Sequence, residues 1–140
     1  MKKYKVSKIK ENISETEFRK LLSCIYKKNN INMNTKENLK RTFILLFYTG
    51  MRINEVKQLK LKDIMQIIQN SEIIIVTHKT KKERKLFFSE KAVNEIKKSF
   101  FFEKRLNEED YIIKTKGNPK KTPSSITFIS QVNSFIHEVL

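Results

Sequence analysis

At 140 residues, 39% of them hydrophobic and ten of them Phe, the chain is long enough for one domain with a real core, which excludes disorder throughout. Thirty Lys and Arg against fifteen Asp and Glu give a net charge of +15, a field that concentrates polyanions and points first to nucleic acid. A single cysteine, Cys24, excludes an internal disulfide and a cysteine-built zinc site, and no run of about eighteen apolar residues provides a membrane span.

Residues 1–13 are basic and poorly patterned and read as an arm or linker. No apolar stretch stands behind Met1-Lys2-Lys3-Tyr4, so an intracellular protein is expected. Ser14-Glu15-Thr16-Glu17 has the form of a capping box, and Phe18, Leu21, Leu22 and Ile25 follow at helical spacing to about Lys28. After a polar connection, a second helix is predicted from about Thr35 to Tyr48. Its run Phe43 to Tyr48 is apolar all round and belongs at the centre of the core. Gly50 is the natural stop, and a short third helix follows from about Ile53 to Leu59.

Then the period changes. Ile73-Ile74-Ile75-Val76 reads as a β-branched strand, Thr77 to Glu83 as a polar, basic tip, and Leu86-Phe87-Phe88 as the returning strand. Met65 to Ile68 offers a third strand, and Tyr111-Ile112-Ile113 a further short one. Ser89 caps a helix through Ala92, Val93 and Ile96. Ser124 or Ser125 caps a last one, in which Ile129, Val132, Ile136 and Val139 recur. The expected class is α+β, mostly helical, with a small three-stranded antiparallel sheet.

Two stretches can carry chemistry. Arg52 follows a glycine-broken turn at the start of a short helix, and its planar fork can hold two phosphate oxygens at once, which Lys cannot. Only five arginines occur among the thirty basic residues, so this one stands out. The second stretch is the tip Thr77 to Lys85, whose lysines can neutralise phosphates in a DNA groove. Taken alone, each has a plainer account. Arg52 is then a surface residue after a helix-ending glycine, and the tip a solvated turn that discourages edge pairing.

Together and in this order, the two stretches resemble the tyrosine-recombinase, or phage-integrase, family. Thr49-Gly50-Met51-Arg52-Ile53-Asn54-Glu55-Val56 looks like that family's first-arginine box, T-G-x-R-x-x-E-L. Lys79-Thr80-Lys81-Lys82-Glu83-Arg84 looks like its hairpin lysine motif, K-x-x-K-x-R, and Leu59 to Ile64 fits its L-x-W-x-D-I run. The resemblance implies that residues 14–140 form part of a recombinase catalytic domain. It implies that Arg52 clamps the scissile phosphate and Lys79 protonates the departing 5′-hydroxyl, with Lys81 and Lys82 as competitors for that role. Lys81, Lys82 and Arg84 would join them on DNA, and Glu55 would hold the arginine turn from within. The implied partner is double-stranded DNA, with other recombinase protomers beside it, and no membrane or small-molecule substrate. No metal or other cofactor is expected, since the protein's own cations serve the phosphate.

The family's later groups, a His-x-x-Arg box and a tyrosine nucleophile, find no match. His137 is followed by Glu138-Val139-Leu140 and reads as a helix-surface residue, and Tyr4, Tyr26, Tyr48 and Tyr111 all lie earlier in the order. The expectation is a truncated recombinase domain that binds DNA and does not cleave it alone. Two other readings stand beside it. One is a non-enzymatic regulator or decoy at recombination sites. The other is a basic RNA-binding or ribosome-associated protein, for which Phe87 and Phe88 are stacking candidates, although an alternating strand buries one of them.

Overall fold

A computed structural model of the chain describes residues 14–76, 81–100, 107–115, 118 and 120–140. Six helices and one hairpin follow in order among them: α1 (Glu15–Lys27), α2 (Met33–Thr49), α3 (Ile53–Lys57), α4 (Leu61–Asn70), β1 (Glu72–Val76), β2 (Glu83–Phe87), α5 (Glu90–Ser99) and α6 (Ser125–Val139). The expected arm 1–13 and the tip residues 77–80, Lys79 included, lie outside the described residues.

The caps explain most boundaries. The Ser14 hydroxyl accepts the Glu17 N–H at 3.1 Å, and Glu17 Oε1 accepts the Ser14 N–H at 3.0 Å, which completes the capping box of α1. Asn32 starts α2 two residues before the predicted Thr35, because its Oδ1 takes the Thr35 N–H at 2.8 Å. Ser89 and Ser124 cap α5 and α6 in the same way.

The core lies around α2. Its residues Phe43 to Leu46 are all buried, and α1, α3 and α5 pack against it. Phe18 of α1 stacks face to face on Phe47 at 4.3 Å, with Tyr48 edge-on to both rings. Helix α6 crosses to α1 and α3 and brings Phe135 to 5.8 Å from Phe43. Its deepest residues are Phe128, Val132, Phe135 and Ile136, whereas Ile129 and Val139 are only partly buried. The apolar stripe is thus rotated slightly from the predicted one, as the larger phenylalanines take the interior; a fully buried Phe contributes roughly 2 kcal/mol over an exposed one.

The sheet departs from expectation. Among the described residues it has two strands, not three: β1 and β2 pair antiparallel, with Ile73 opposite Leu86 and Ile75 opposite Arg84. Met65 to Ile68 belongs to α4. Leu61, Ile64 and Ile67 recur every three residues and are buried, and Asp63 Oδ2 closes the first turn by accepting the Lys60 N–H at 2.8 Å. The β-branched pair Ile67-Ile68 suggests a strand, but the helical period around it prevails. Tyr111-Ile112-Ile113 is not a sheet strand either. Tyr111 forms one isolated bridge with Lys60, supported by Leu61 N–H to the Asp110 carbonyl and Ile112 N–H to the Leu59 carbonyl. The fold is α+β and mostly helical, with a two-stranded hairpin. No helix among the described residues is long and apolar enough to cross a membrane.

Candidate functional site

The turn between α2 and α3 is built from its own short-range chemistry. The Thr49 hydroxyl donates to the Leu45 carbonyl and accepts the Met51 N–H at 3.2 Å. Gly50 takes the left-handed conformation, φ 71°, that ends α2, and its N–H closes on the Leu46 carbonyl at 3.2 Å. Met51 then points into the core, fully buried, while Arg52 is exposed. Ile53 and Val56 bury the other side of α3. Packing thereby fixes the backbone on one side and leaves the guanidinium in solvent.

Glu55 completes the turn from below. It is 4% exposed, and its Oε1 accepts the Arg52 N–H at 2.9 Å. A carboxylate so deep in an apolar setting needs more than one partner. The second comes from the hairpin: Arg84 Nη2 lies 3.1 Å from the same oxygen. The pairing follows from strand register. On β2, Arg84 and Leu86 face inward with Ile73 and Ile75 of β1, while Glu83, Lys85 and Phe87 face out. Alternation counted back from Leu86 places Arg84 inside, and that signal is present in the sequence.

Two further contacts fasten α3. Gln58 Nε2 donates to the carbonyl of Val76, the last residue of β1, at 3.1 Å. Lys57 is buried, and its ammonium donates to the Pro123 carbonyl at 2.7 Å, just before α6 begins. Burial pushes the Lys57 pKa below its ordinary value. Nothing in the spacing around Lys57 announces this role.

Of the basic residues singled out in the sequence, Arg52, Lys81 and Lys82 are exposed, and Lys81 adopts a left-handed φ of 52° as the chain returns to β2. Lys79 lies outside the described residues. Arg84 is joined to Glu55, so Arg52, Glu55 and Arg84 form one group, with the turn above and the hairpin beside it. The helix after Arg52 has five residues, too short for a strong dipole, so the guanidinium itself is the phosphate-binding element here. His137, at the last turn of α6, is exposed.

Neither the curated proteins nor the solved structures yield a match to this sequence. The model of the phage integrase family does, over residues 10–134, a span that includes the Arg52 turn, the hairpin and the first two-thirds of α6. The chain belongs to the phage integrase family, with the association with DNA recombination and integration that this carries.

Proposed function

We propose that this protein binds double-stranded DNA through its phosphates in a recombination or integration setting, and that this chain alone makes no covalent link to the DNA. The observation that carries the reading is the Arg52 turn. Its guanidinium is exposed while its backbone is held by a buried carboxylate, on a chain of net charge +15. Arg52 grips two oxygens of one phosphate. Lys79, Lys81 and Lys82 neutralise neighbouring phosphates from the hairpin tip. Where a nucleophile from outside this chain attacks the phosphorus, Arg52 stabilises the charge gathering on the equatorial oxygens, and one of these lysines gives a proton to the departing 5′-oxygen, which leaves as a hydroxyl. The protein's own cations carry this chemistry, so the reading invokes no cofactor.

The absence of cleavage is proposed from the lack of a His-x-x-Arg box and from the order of the tyrosines, all of which precede the place of the nucleophile. Of the three described, Tyr48 is packed against Phe18 and Phe47, Tyr111 is bridged to Lys60, and Tyr26 is exposed near the end of α1 with Lys40 over its ring. Residues 14–140 are accordingly proposed as part of a recombinase catalytic domain, acting on DNA inside the cell, beside other recombinase protomers or as a regulator at their sites.

One observation favours a second reading. Phe87 is 73% exposed on the outer face of β2, with Lys85 5.5 Å from its ring centre, and such a pair can stack an unpaired base. A titration of the chain with labelled duplex DNA at several salt concentrations tests the first reading, with single-stranded RNA as competitor. Duplex affinity should fall steeply as salt rises. Binding that ignores salt, or RNA that competes at far lower concentration than duplex, decides against it. A nicked suicide duplex that becomes covalently attached to the chain overturns the claim of no cleavage.

A further inference from the structure

Arg84 occupies an inward position of β2, opposite Ile75, where its neighbours Ile73, Ile75 and Leu86 are apolar and packed toward the core. Its side chain is 39% exposed, and the part that is buried costs desolvation unless the charge is used. Here Nη2 lies 3.1 Å from Glu55 Oε1, the same atom that accepts the Arg52 N–H at 2.9 Å, and Nε is buried without a hydrogen-bond partner. Gln58 adds a second tie of the same direction, from the end of α3 to the Val76 carbonyl at the base of the tip. The helix bearing the exposed arginine and the hairpin bearing the lysines are thereby held to each other at two points.

We infer that Arg84 is a positioning residue and not a DNA contact: through Glu55 it fixes β2, with Lys81 and Lys82 just before it, relative to Arg52, so that these cations can meet adjacent phosphates. The inference rests on the DNA-binding reading and deepens it. Arg84 spends its charge on a buried carboxylate inside the protein, so it releases no counterion from DNA. Its removal loosens the Arg52 backbone instead. Helix α3 has only five residues, so the Glu55 carboxylate is a substantial part of what holds its first turn, beside the bonds to the Arg52 carbonyl.

The test compares the wild-type chain with Arg84→Met, which keeps the apolar stem, and with Arg84→Lys, Glu55→Gln, the double variant E55Q/R84M and Lys81→Ala. Affinity for a labelled duplex is read across a salt series. R84M should bind roughly tenfold more weakly, the scale of a coupled pair, with the salt slope unchanged. K81A should lower the slope by about 0.9, as one lost phosphate contact does. R84K should recover part of the affinity, and in the E55Q background R84M should change little. A slope lowered in R84M as in K81A, or an R84M effect of full size in the E55Q background, overturns the inference. Amide hydrogen exchange at Arg52 separates it from the DNA-binding reading. Exchange should quicken about tenfold in R84M whether or not the wild type binds DNA, by the loss of one support of a local opening unit. Unchanged exchange refutes the positioning role even where DNA binding stands. Wild-type failure to bind duplex, with quickened exchange, refutes the DNA reading alone.

Discussion

Asn38 of α2 and the backbone of Lys114 are joined at two points: Asn38 Nδ2 donates to the Lys114 carbonyl at 2.9 Å, and the Lys114 N–H donates to Asn38 Oδ1 at 3.2 Å. Asn38 is 3% exposed, so water cannot replace it. The pair fixes the segment that follows the Tyr111 bridge against the central helix, and Arg41 adds a bond to the Ile112 carbonyl at 2.9 Å. Asn38→Ala leaves the Lys114 N–H without an acceptor and should cost about 1–3 kcal/mol of stability. The Lys114 carbonyl keeps Asn34 Nδ2 at 3.0 Å, so Asn34→Ala should cost less. Urea denaturation of the two variants measures both, and an Asn34 variant weaker than the Asn38 one contradicts the two-point account.

Gly50 offers a second, cleaner case. An added Cβ would meet nothing within 4 Å, so any penalty there is conformational and not steric. With φ at 71°, Gly50→Ala should lose about 1 kcal/mol, and Gly50→Asn less, since Asn visits this region more readily. Thermal melts of the two variants check the order. Alanine tolerated at no cost would mean that the end of α2 relaxes out of the left-handed conformation.

These two residues differ in how readable they are. Gly50 announces itself as a break in a sequence with two glycines, and the serines at 14, 89 and 124 announce helix starts by local chemistry alone. The Arg52 turn, with its glycine, arginine and acid, is legible for the same reason. Asn38 carries no such mark, because its partner lies 76 residues away and only the packed chain brings them together. Lys57 is hidden likewise, its acceptor being Pro123. Arg84 falls between. Strand alternation places it inside, but a basic hairpin motif draws attention to its charge and away from its phase. The third strand fails for a local reason, since Ile67 and Ile68 favour a strand by type while Leu61, Ile64 and Ile67 favour a helix by spacing.

Lys57 makes stability depend on alkaline pH. Burial penalises its ammonium in the fold and not in the unfolded chain, so the folded protein gives up this proton at lower pH. Between the two titrations the unfolded state binds more proton, and stability rises with pH. At neutral pH both states are charged and the full penalty applies; above the ordinary lysine range it is gone. The difference in stability between wild type and Lys57→Met should therefore move toward the wild type as pH rises from neutral into the alkaline range. Denaturant midpoints of both proteins across that range give the measurement, and a flat difference shows that Lys57 is not desolvated.

Arg52 separates binding from folding. Its side chain is exposed and its backbone bonds run through the peptide group, which any residue but proline retains. Arg52→Ala should leave stability within about 0.5 kcal/mol of the wild type, as surface changes do. On duplex DNA it should weaken binding and lower the salt slope by about 0.9, the mark of one phosphate released. Arg52→Lys restores the charge but not the fork, so the slope should return while part of the affinity stays lost. Equal recovery of slope and affinity by lysine would reduce Arg52 to a point charge. An unchanged slope in the alanine variant would remove it from the DNA interface and leave the lysines of the hairpin tip to carry the contact.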